Sequence, residues 1–136
     1  MPFFKQDKPF KVPTTDGKLI EEHFGNASTK NENLSIAHMV APPGWSEPFQ
    51  NPEFDEYTLI SKGKKLFEVD GEKIIVNEGE SILIKKGSRV QYSNPFDSPC
   101  EYWSVCLRFQ LIKFIGNSGV NKLVKVYHMI LFIFQI

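Results

Sequence analysis

Short segments of alternating apolar and polar residues, separated by turn residues, run through the first 109 positions of the chain. In residues 56–61, for example, Glu56, Thr58 and Ile60 fall on one face and the residues between them on the other. A period of two is that of a β-strand. Turn signals recur every eight to twelve residues and no helical periodicity precedes residue 110. The pattern therefore predicts an all-β sandwich or barrel.

The predicted strands are short and follow one another closely. In chain order they cover residues 18–24, 33–40, 56–61, 65–69, 73–76, 81–84, 89–93 and 101–109. Asp70 and Gly71 separate two of them. This dipeptide is the one that best fits a type I′ hairpin turn, in which both central residues take positive φ.

The chain divides into three parts by composition. Residues 1–32 form a predicted N-terminal arm and first strand, because residues 1–17 hold three prolines and end in a turn cluster. Residues 33–109 hold the predicted barrel. Residues 110–136 contain no acidic residue and end in an apolar run that is too short for a bilayer span of about 20 residues. We predict that this tail is atypical of the fold and dispensable. Three interpretations stay open: a helix packed on the barrel or on a second subunit, a membrane-surface anchor, or a segment foreign to the fold.

Length and charge narrow the classes of function. A chain of 136 residues suits one domain. The formal net charge is zero, and no basic stripe alternates with aromatic residues, so a nucleic-acid surface has little support. The N-terminus lacks the continuous apolar run of a secretory signal, so we predict a cytoplasmic location.

Cys100 and Cys106 lie six residues apart in one predicted strand, a separation of about 20 Å that excludes a disulfide between them.

Two stretches of matched spacing carry a resemblance to a known family. The first contains Gly44, Gln50, Pro52, Glu56 and Gly63, and the second Gly79, Lys85, Gly87, Val90 and Asn94, at the intervals of the two cupin motifs. The chain therefore resembles the cupin superfamily over residues 33–109. The resemblance implies a jelly-roll barrel, also called a double-stranded β-helix.

The same resemblance implies four metal-ligand positions, and most of them hold residues that do not bind metals. They are occupied by Gln50, Pro52, Glu56 and Val90, of which only Glu56 is a usual ligand. We therefore predict no metal and no cofactor, unless His38 or Glu47 is recruited from an adjacent strand. By alternation, His38 shares a face with Leu34, Ile36 and Val40, and we expect it to face the core or the wall of the pocket.

Glu56 is the candidate catalytic residue. A carboxylate inside a barrel needs a partner, because burial disfavours its charged form. Two interpretations stay open: a structural group hydrogen-bonded by Gln50, Thr58 or Tyr92, or a ligand-binding carboxylate or general base.

Other polar and aromatic side chains are expected to surround Glu56. The segment 45–56 either lines the mouth of a site for a sugar, polyol or amine, or plugs the end of the barrel. If Val90 faces inward, Tyr92 does so too. On strand 101–109 either Tyr102 or Trp103 and their alternate neighbours face the pocket, and the sequence leaves this open. The predicted ligand-binding residues are Trp45, Glu47, Gln50, Thr58, Tyr92 and Tyr102.

These features predict a cupin that binds a small polar metabolite without a catalytic metal, as a homodimer. Trp45 and Phe49 ahead of Asp55 and Glu56 are similar to the cupins of ethanolamine utilisation, which would imply a role in small-molecule metabolism. The alternative is an isomerase or lyase that uses Glu56 as a base, with or without a recruited metal. A purely structural or regulatory module is the third interpretation.

Overall fold

The computed structural model describes residues 2–108, which form two antiparallel β-sheets. The elements are β1 (Phe10–Lys11), β2 (Leu19–Phe24), α1 (Asn26–Thr29), β3 (Leu34–Ala41), β4 (Trp45–Ser46), β5 (Asp55–Lys62), β6 (Lys64–Val69), β7 (Glu72–Asn77), β8 (Ser81–Ile84), β9 (Val90–Asn94) and β10 (Cys100–Leu107). The six-stranded sheet has the order β1-β2-β3-β10-β5-β8, and the four-stranded sheet the order β4-β9-β6-β7. The predicted all-β jelly roll is confirmed, as two facing sheets and not a closed ring of strands.

Alternation of buried and partly exposed residues explains why the strands form and which faces they bury. Strand β10 alternates without interruption from Cys100 to Leu107, and it pairs with β3 on one side and with β5 on the other. Its buried face carries Tyr102, Ser104 and Cys106. This settles the question that the sequence left open, since Trp103 lies on the outer face.

His38 faces away from the core, so the expectation of an inward histidine is wrong. On β3 the buried residues are Ser35, Ala37, Met39 and Ala41, which places His38 on the opposite face. The alternation alone could not decide the phase, because both faces of β3 carry apolar residues. Of these inward residues, Ser35 and Met39 border the pocket described below.

Two turns depend on residues with positive φ. Asp70 and Gly71 have φ values of 48° and 85°, as the predicted type I′ turn requires. Gly63, between β5 and β6, has φ 78°, and a Cβ there would lie 2.5 Å from the carbonyl oxygen of Pro99. No other residue fits at position 63 without moving the backbone.

The N-terminal segment lies against the six-stranded sheet. Strand β1 pairs with β2, and the amide of Val12, a buried residue, donates a 2.9 Å hydrogen bond to the carbonyl of Ile20. Residues 25–32 contain the one-turn helix α1, in which the amide of Ser28 donates a hydrogen bond to the Glu22 carboxylate.

The core fills the space between the sheets. It includes Ile20, Phe67, Val90, Tyr92 and Tyr102. Cys100 and Cys106 are both buried free thiols, as the spacing argument predicted. Within residues 2–108 no helix is long and apolar enough to cross a membrane. The predictions for residues 110–136 lie outside the described part of the chain.

Candidate functional site

A pocket opens between the two sheets, and we call it the central pocket. It is lined by Lys18, Ser35, Met39, Glu47, Glu56, Lys65, Tyr92, Tyr102, Ser104 and Cys106. The empty space among these side chains is about 410 Å³ when the open mouth is included, but the centre of a water molecule can move within only about 20 Å³. One or two waters therefore fit in this conformation, and a larger ligand requires side chains to move.

Charged residues reach the pocket because they occupy inward positions of their strands. Lys65 is in phase with the buried Phe67 on β6. Glu56 is in phase with Thr58 and Ile60 on β5. Lys18 directly precedes β2, in phase with Ile20. Four ionisable side chains, the fourth being Glu47, are thus brought into the interior of a small domain.

Lys65 lies in an aromatic enclosure. Its side chain is 2% exposed, and its ammonium nitrogen lies 3.7 Å from the ring centre of Tyr102 and 4.8 Å from that of Tyr92. Ammonium groups are attracted to ring faces, most strongly when both are desolvated. Burial, followed by repulsion from Lys18, lowers the pKa of Lys65 to about 7. A mixture of ammonium and free amine is therefore expected at neutral pH.

Lys18 is the second buried cation. Its ammonium lies 4.3 Å from the ring centre of Trp45 and 5.7 Å from that of Tyr102. Burial lowers the pKa of Lys18, while Glu47 and Glu56 raise it in part. The four salt bridges in the described residues involve neither Lys18 nor Lys65. Both ammonium groups thus lack a carboxylate in direct contact.

The two buried glutamates have different surroundings. Glu47 accepts a 3.0 Å hydrogen bond from the side-chain amide of Gln50, and burial raises its pKa. Glu56 receives contacts of 3.5 Å from the Thr58 hydroxyl and from the Cys106 thiol. The contact from Thr58 is long for an O–H···O hydrogen bond, and a carboxylate has lone pairs for further donors besides these two.

The two tyrosines complete the wall. Burial raises the pKa values of Tyr92 and Tyr102 well above the usual value, so both hydroxyls stay protonated at neutral pH. The Tyr102 hydroxyl is buried and has no hydrogen-bond partner among the described residues. Such a group costs stability unless water or a ligand reaches it.

Comparison with known proteins identifies the family. The sequence profile described as "Cupin domain" matches residues 37–106. The chain belongs to the cupin domain family. Three solved structures have the same fold as this cupin. An RmlC-like cupin from Shewanella frigidimarina has a TM-score of 0.64 at 12% identity, covering 82% of this chain and 94% of that chain. An RmlC-like cupin from Methanocaldococcus jannaschii, with a double-stranded β-helix fold, has a TM-score of 0.57 at 22% identity, covering 77% and 86%. The EutQ protein of Clostridium difficile has a TM-score of 0.56 at 21% identity, covering 72% and 80%.

One curated relative is more similar in sequence. It is the endoribonuclease YbeY of Myxococcus xanthus, 46% identical over 95 residues, which are 70% of this chain and 32% of that protein. The cupin therefore spans about a third of the length of this relative.

The residues present do not fit the metal that the cupin resemblance implies. The side-chain amide of Gln50 is engaged with Glu47, Val90 lies in the apolar core, and Pro52 has no donor atom. Among residues 2–108 no three His, Cys, Asp or Glu side chains are placed to hold one metal ion. Glu56 instead shares the central pocket with two lysine side chains.

The structure brings together only part of the predicted site. Glu47, Glu56, Tyr92 and Tyr102 line the central pocket. The other three predicted residues lie behind this wall and support it: Trp45 stacks on Lys18, Gln50 bonds to Glu47, and Thr58 contacts Glu56. His38 lies elsewhere, on the outer face between Glu21 and Glu101, at 3.0 Å and 2.8 Å.

The sequence interpretation missed the two lysines. The signal for Lys65 was present, since it alternates with Phe67 and Val69 in a predicted strand. A buried lysine is uncommon enough that such positions are normally assigned to the solvent face. Lys18 carried no comparable signal, because only the packing of the N-terminal segment decides that it points inward.

Proposed function

We propose that this cupin binds a small polar metabolite with an anionic group in the central pocket. The observation that supports this is the pair of buried lysines, Lys18 and Lys65, which have no salt-bridge partner in the described part of the chain. Buried cations are costly when unpaired, and a carboxylate or a similar anion would accept hydrogen bonds from both. The ligand would replace the ring contacts of one ammonium group with a direct ion pair.

The remaining wall favours a ligand that also carries uncharged polar groups. Tyr102 and Ser104 offer hydroxyls, and Glu47 and Glu56 accept hydrogen bonds. A second anionic group would meet these carboxylates and be repelled. Short hydroxy acids and related monoanions therefore suit the pocket better than dianions or fully apolar compounds.

Isothermal titration calorimetry tests this proposal. A panel would contrast lactate and glycolate with the neutral polyol glycerol and the dianion succinate. We expect the monoanions to bind, Lys18→Met to abolish their binding, and Lys64→Met, a change at an exposed position of β6, to leave it unchanged. Tyr102→Phe should weaken binding roughly 5- to 10-fold, the effect of one lost hydrogen bond. Equal binding by wild type and Lys18→Met would contradict the proposal.

An isomerase or lyase that uses Glu56 as a base is the second candidate. Its support is that Glu56 is 4% exposed, lines the pocket and lies within 3.5 Å of the Thr58 hydroxyl and the Cys106 thiol. Glu56→Gln separates the two candidates, because a binding protein keeps affinity whereas an enzyme loses turnover.

We also propose a homodimer. Tyr57, Leu59 and Leu83 are exposed apolar residues on the outer face of the adjacent strands β5 and β8, and a second copy would cover them. Light scattering of the full chain measures this directly. The ribonuclease activity in the name of the M. xanthus relative is not part of the proposal, since the match covers only 32% of that protein.

A further inference from the structure

We propose that Lys65 is a nucleophile that forms an imine with a small carbonyl compound bearing a carboxylate, a 2-oxo acid. This inference rests on the proposed function, because it names the class of ligand for the same pocket. It goes further in assigning covalent chemistry to one residue.

The position of Lys65 meets the requirements for an amine nucleophile. Its nitrogen is enclosed by the rings of Tyr102, Tyr92 and Phe67, with Trp45 at 5.7 Å, and it faces the central pocket. No carboxylate of residues 2–108 forms a salt bridge that would hold it in the ammonium form. A second cation, Lys18, lies against two of the same rings. Desolvation and a neighbouring cation are the two factors that activate lysine amines.

The direction of the pKa shift agrees with this geometry. With a pKa of about 7, about half of Lys65 is free amine at neutral pH. An ordinary lysine, with a pKa of about 10.4, is free amine in only about one molecule in 2500 at pH 7.

The other residues of the pocket suit a 2-oxo acid. Lys18 is the remaining cation when Lys65 is neutral, so it would bind the carboxylate. The Tyr102 hydroxyl, which has no hydrogen-bond partner within residues 2–108, would donate to the carbonyl oxygen and increase the positive character of the carbonyl carbon. A 2-oxo acid places these two groups on adjacent carbons.

The covalent step is balanced without an oxidant or reductant. The lone pair of the Lys65 amine attacks the carbonyl carbon, and the oxygen takes up a proton to give a carbinolamine. The C–O bond then breaks and the oxygen leaves as water, with both of its protons supplied by the original amine through the surrounding acids. An imine and one water replace an amine and a carbonyl. The imine nitrogen takes up one further proton from the solvent, and this protonated imine acidifies the neighbouring C–H. Glu56 is the carboxylate in the pocket that would accept the proton lost from that carbon.

Reductive trapping tests the inference. The full-length protein is incubated at pH 7 with pyruvate and sodium cyanoborohydride, and adducts are located by intact mass and peptide mapping. We expect one reduced pyruvate adduct, at Lys65, formed at least ~10-fold faster than at any other lysine, given the difference in free amine. Peptide mapping also separates it from reaction at the N-terminal amine, whose pKa of about 8 makes it the main competitor.

Matched variants define the controls. Lys64→Met, next to Lys65 and pointing outward, should keep the adduct, whereas Lys65→Met and Lys65→Arg should lose it. Lys18→Met should slow the reaction with pyruvate more than with acetaldehyde, which has no carboxylate. Labelling that spreads evenly over the lysines, or that persists at the same rate in Lys65→Met, would overturn the inference.

The result is distinguishable from failure of the proposed function. If lactate binds in calorimetry but pyruvate leaves Lys65 unmodified, the pocket binds anions and the covalent assignment is wrong. If an adduct forms at Lys65 although lactate does not bind, the assignment of Lys65 as the nucleophile is right and the proposed binding of hydroxy acids is wrong. If neither occurs, both proposals are wrong.

Discussion

Replacing Lys65 by methionine tests whether the pocket holds a desolvated amine. Lys65 has a pKa near 10.5 when exposed and about 7 in the folded protein. Between these values the unfolded chain binds a proton that the folded chain does not, so the free energy of unfolding of the wild type rises with pH. Below pH 7 both states are protonated, and the full cost of the buried charge is present.

The difference between the two pKa values of Lys65 sets how much the stability changes with pH. A difference of one pKa unit corresponds to about 1.4 kcal/mol, so the buried ammonium costs at most about 5 kcal/mol below pH 7. Relative to Lys65→Met, which does not titrate, the wild type should gain about 2 kcal/mol between pH 7 and pH 9. The variant should be the more stable protein at pH 6, because methionine fits a pocket of aromatic rings without a charge.

Urea denaturation of both proteins at pH 6, 7, 8 and 9 gives these free energies. Lys64→Met serves as the control, and its difference from the wild type should stay within about 0.5 kcal/mol at every pH. A difference between wild type and Lys65→Met that does not change with pH would refute the reasoning, since it would mean that the ammonium group keeps its ordinary pKa in the folded state.

Two further predictions concern residues outside the pocket. Gly63→Ala should lower the free energy of unfolding by more than about 2 kcal/mol, because positive φ and the 2.5 Å approach to Pro99 act together. Gly79 also has positive φ but has no atom within 4 Å of the added Cβ, so Gly79→Ala should cost only about 1 kcal/mol. Equal losses of stability in thermal denaturation would contradict this prediction. Burial of His38 lowers its pKa, but the bonds to Glu21 and Glu101 outweigh burial and raise it. Its stabilising effect is therefore present at acidic pH and lost as the pH rises through the raised pKa, and Glu101→Gln should lower the pKa measured by NMR titration.

Most of the fold was readable from the sequence because local signals and packing agree. Residues 81–84 were predicted with the bounds that β8 has, and the Asp70–Gly71 turn has the predicted φ signs. The two-residue strands β1 and β4 were not predicted, since so short a segment shows no period and forms only because a neighbouring strand is available.

The site was less predictable because it depends on which face of each strand is buried. The inward phase of Tyr92 followed from the cupin motif and from Val90, and the structure buries both. On β3 and β10 both faces carry apolar residues, so the phase of His38 was assigned wrongly and that of Tyr102 stayed open. A charged residue such as Lys65 is recognised as buried only once the rings around it are placed in three dimensions.

The place of Lys18 in the chain matters for the ligand proposed for the central pocket. Lys18 precedes the segment 37–106 that matches the family profile, and it is held in place by the short turn that Asp16 forms with its amide. A few substitutions in this turn would remove one positive charge from the pocket and leave both sheets intact. If the pocket binds an anion as proposed, its ligand preference can therefore change through a peripheral segment, independently of the scaffold that makes the domain stable.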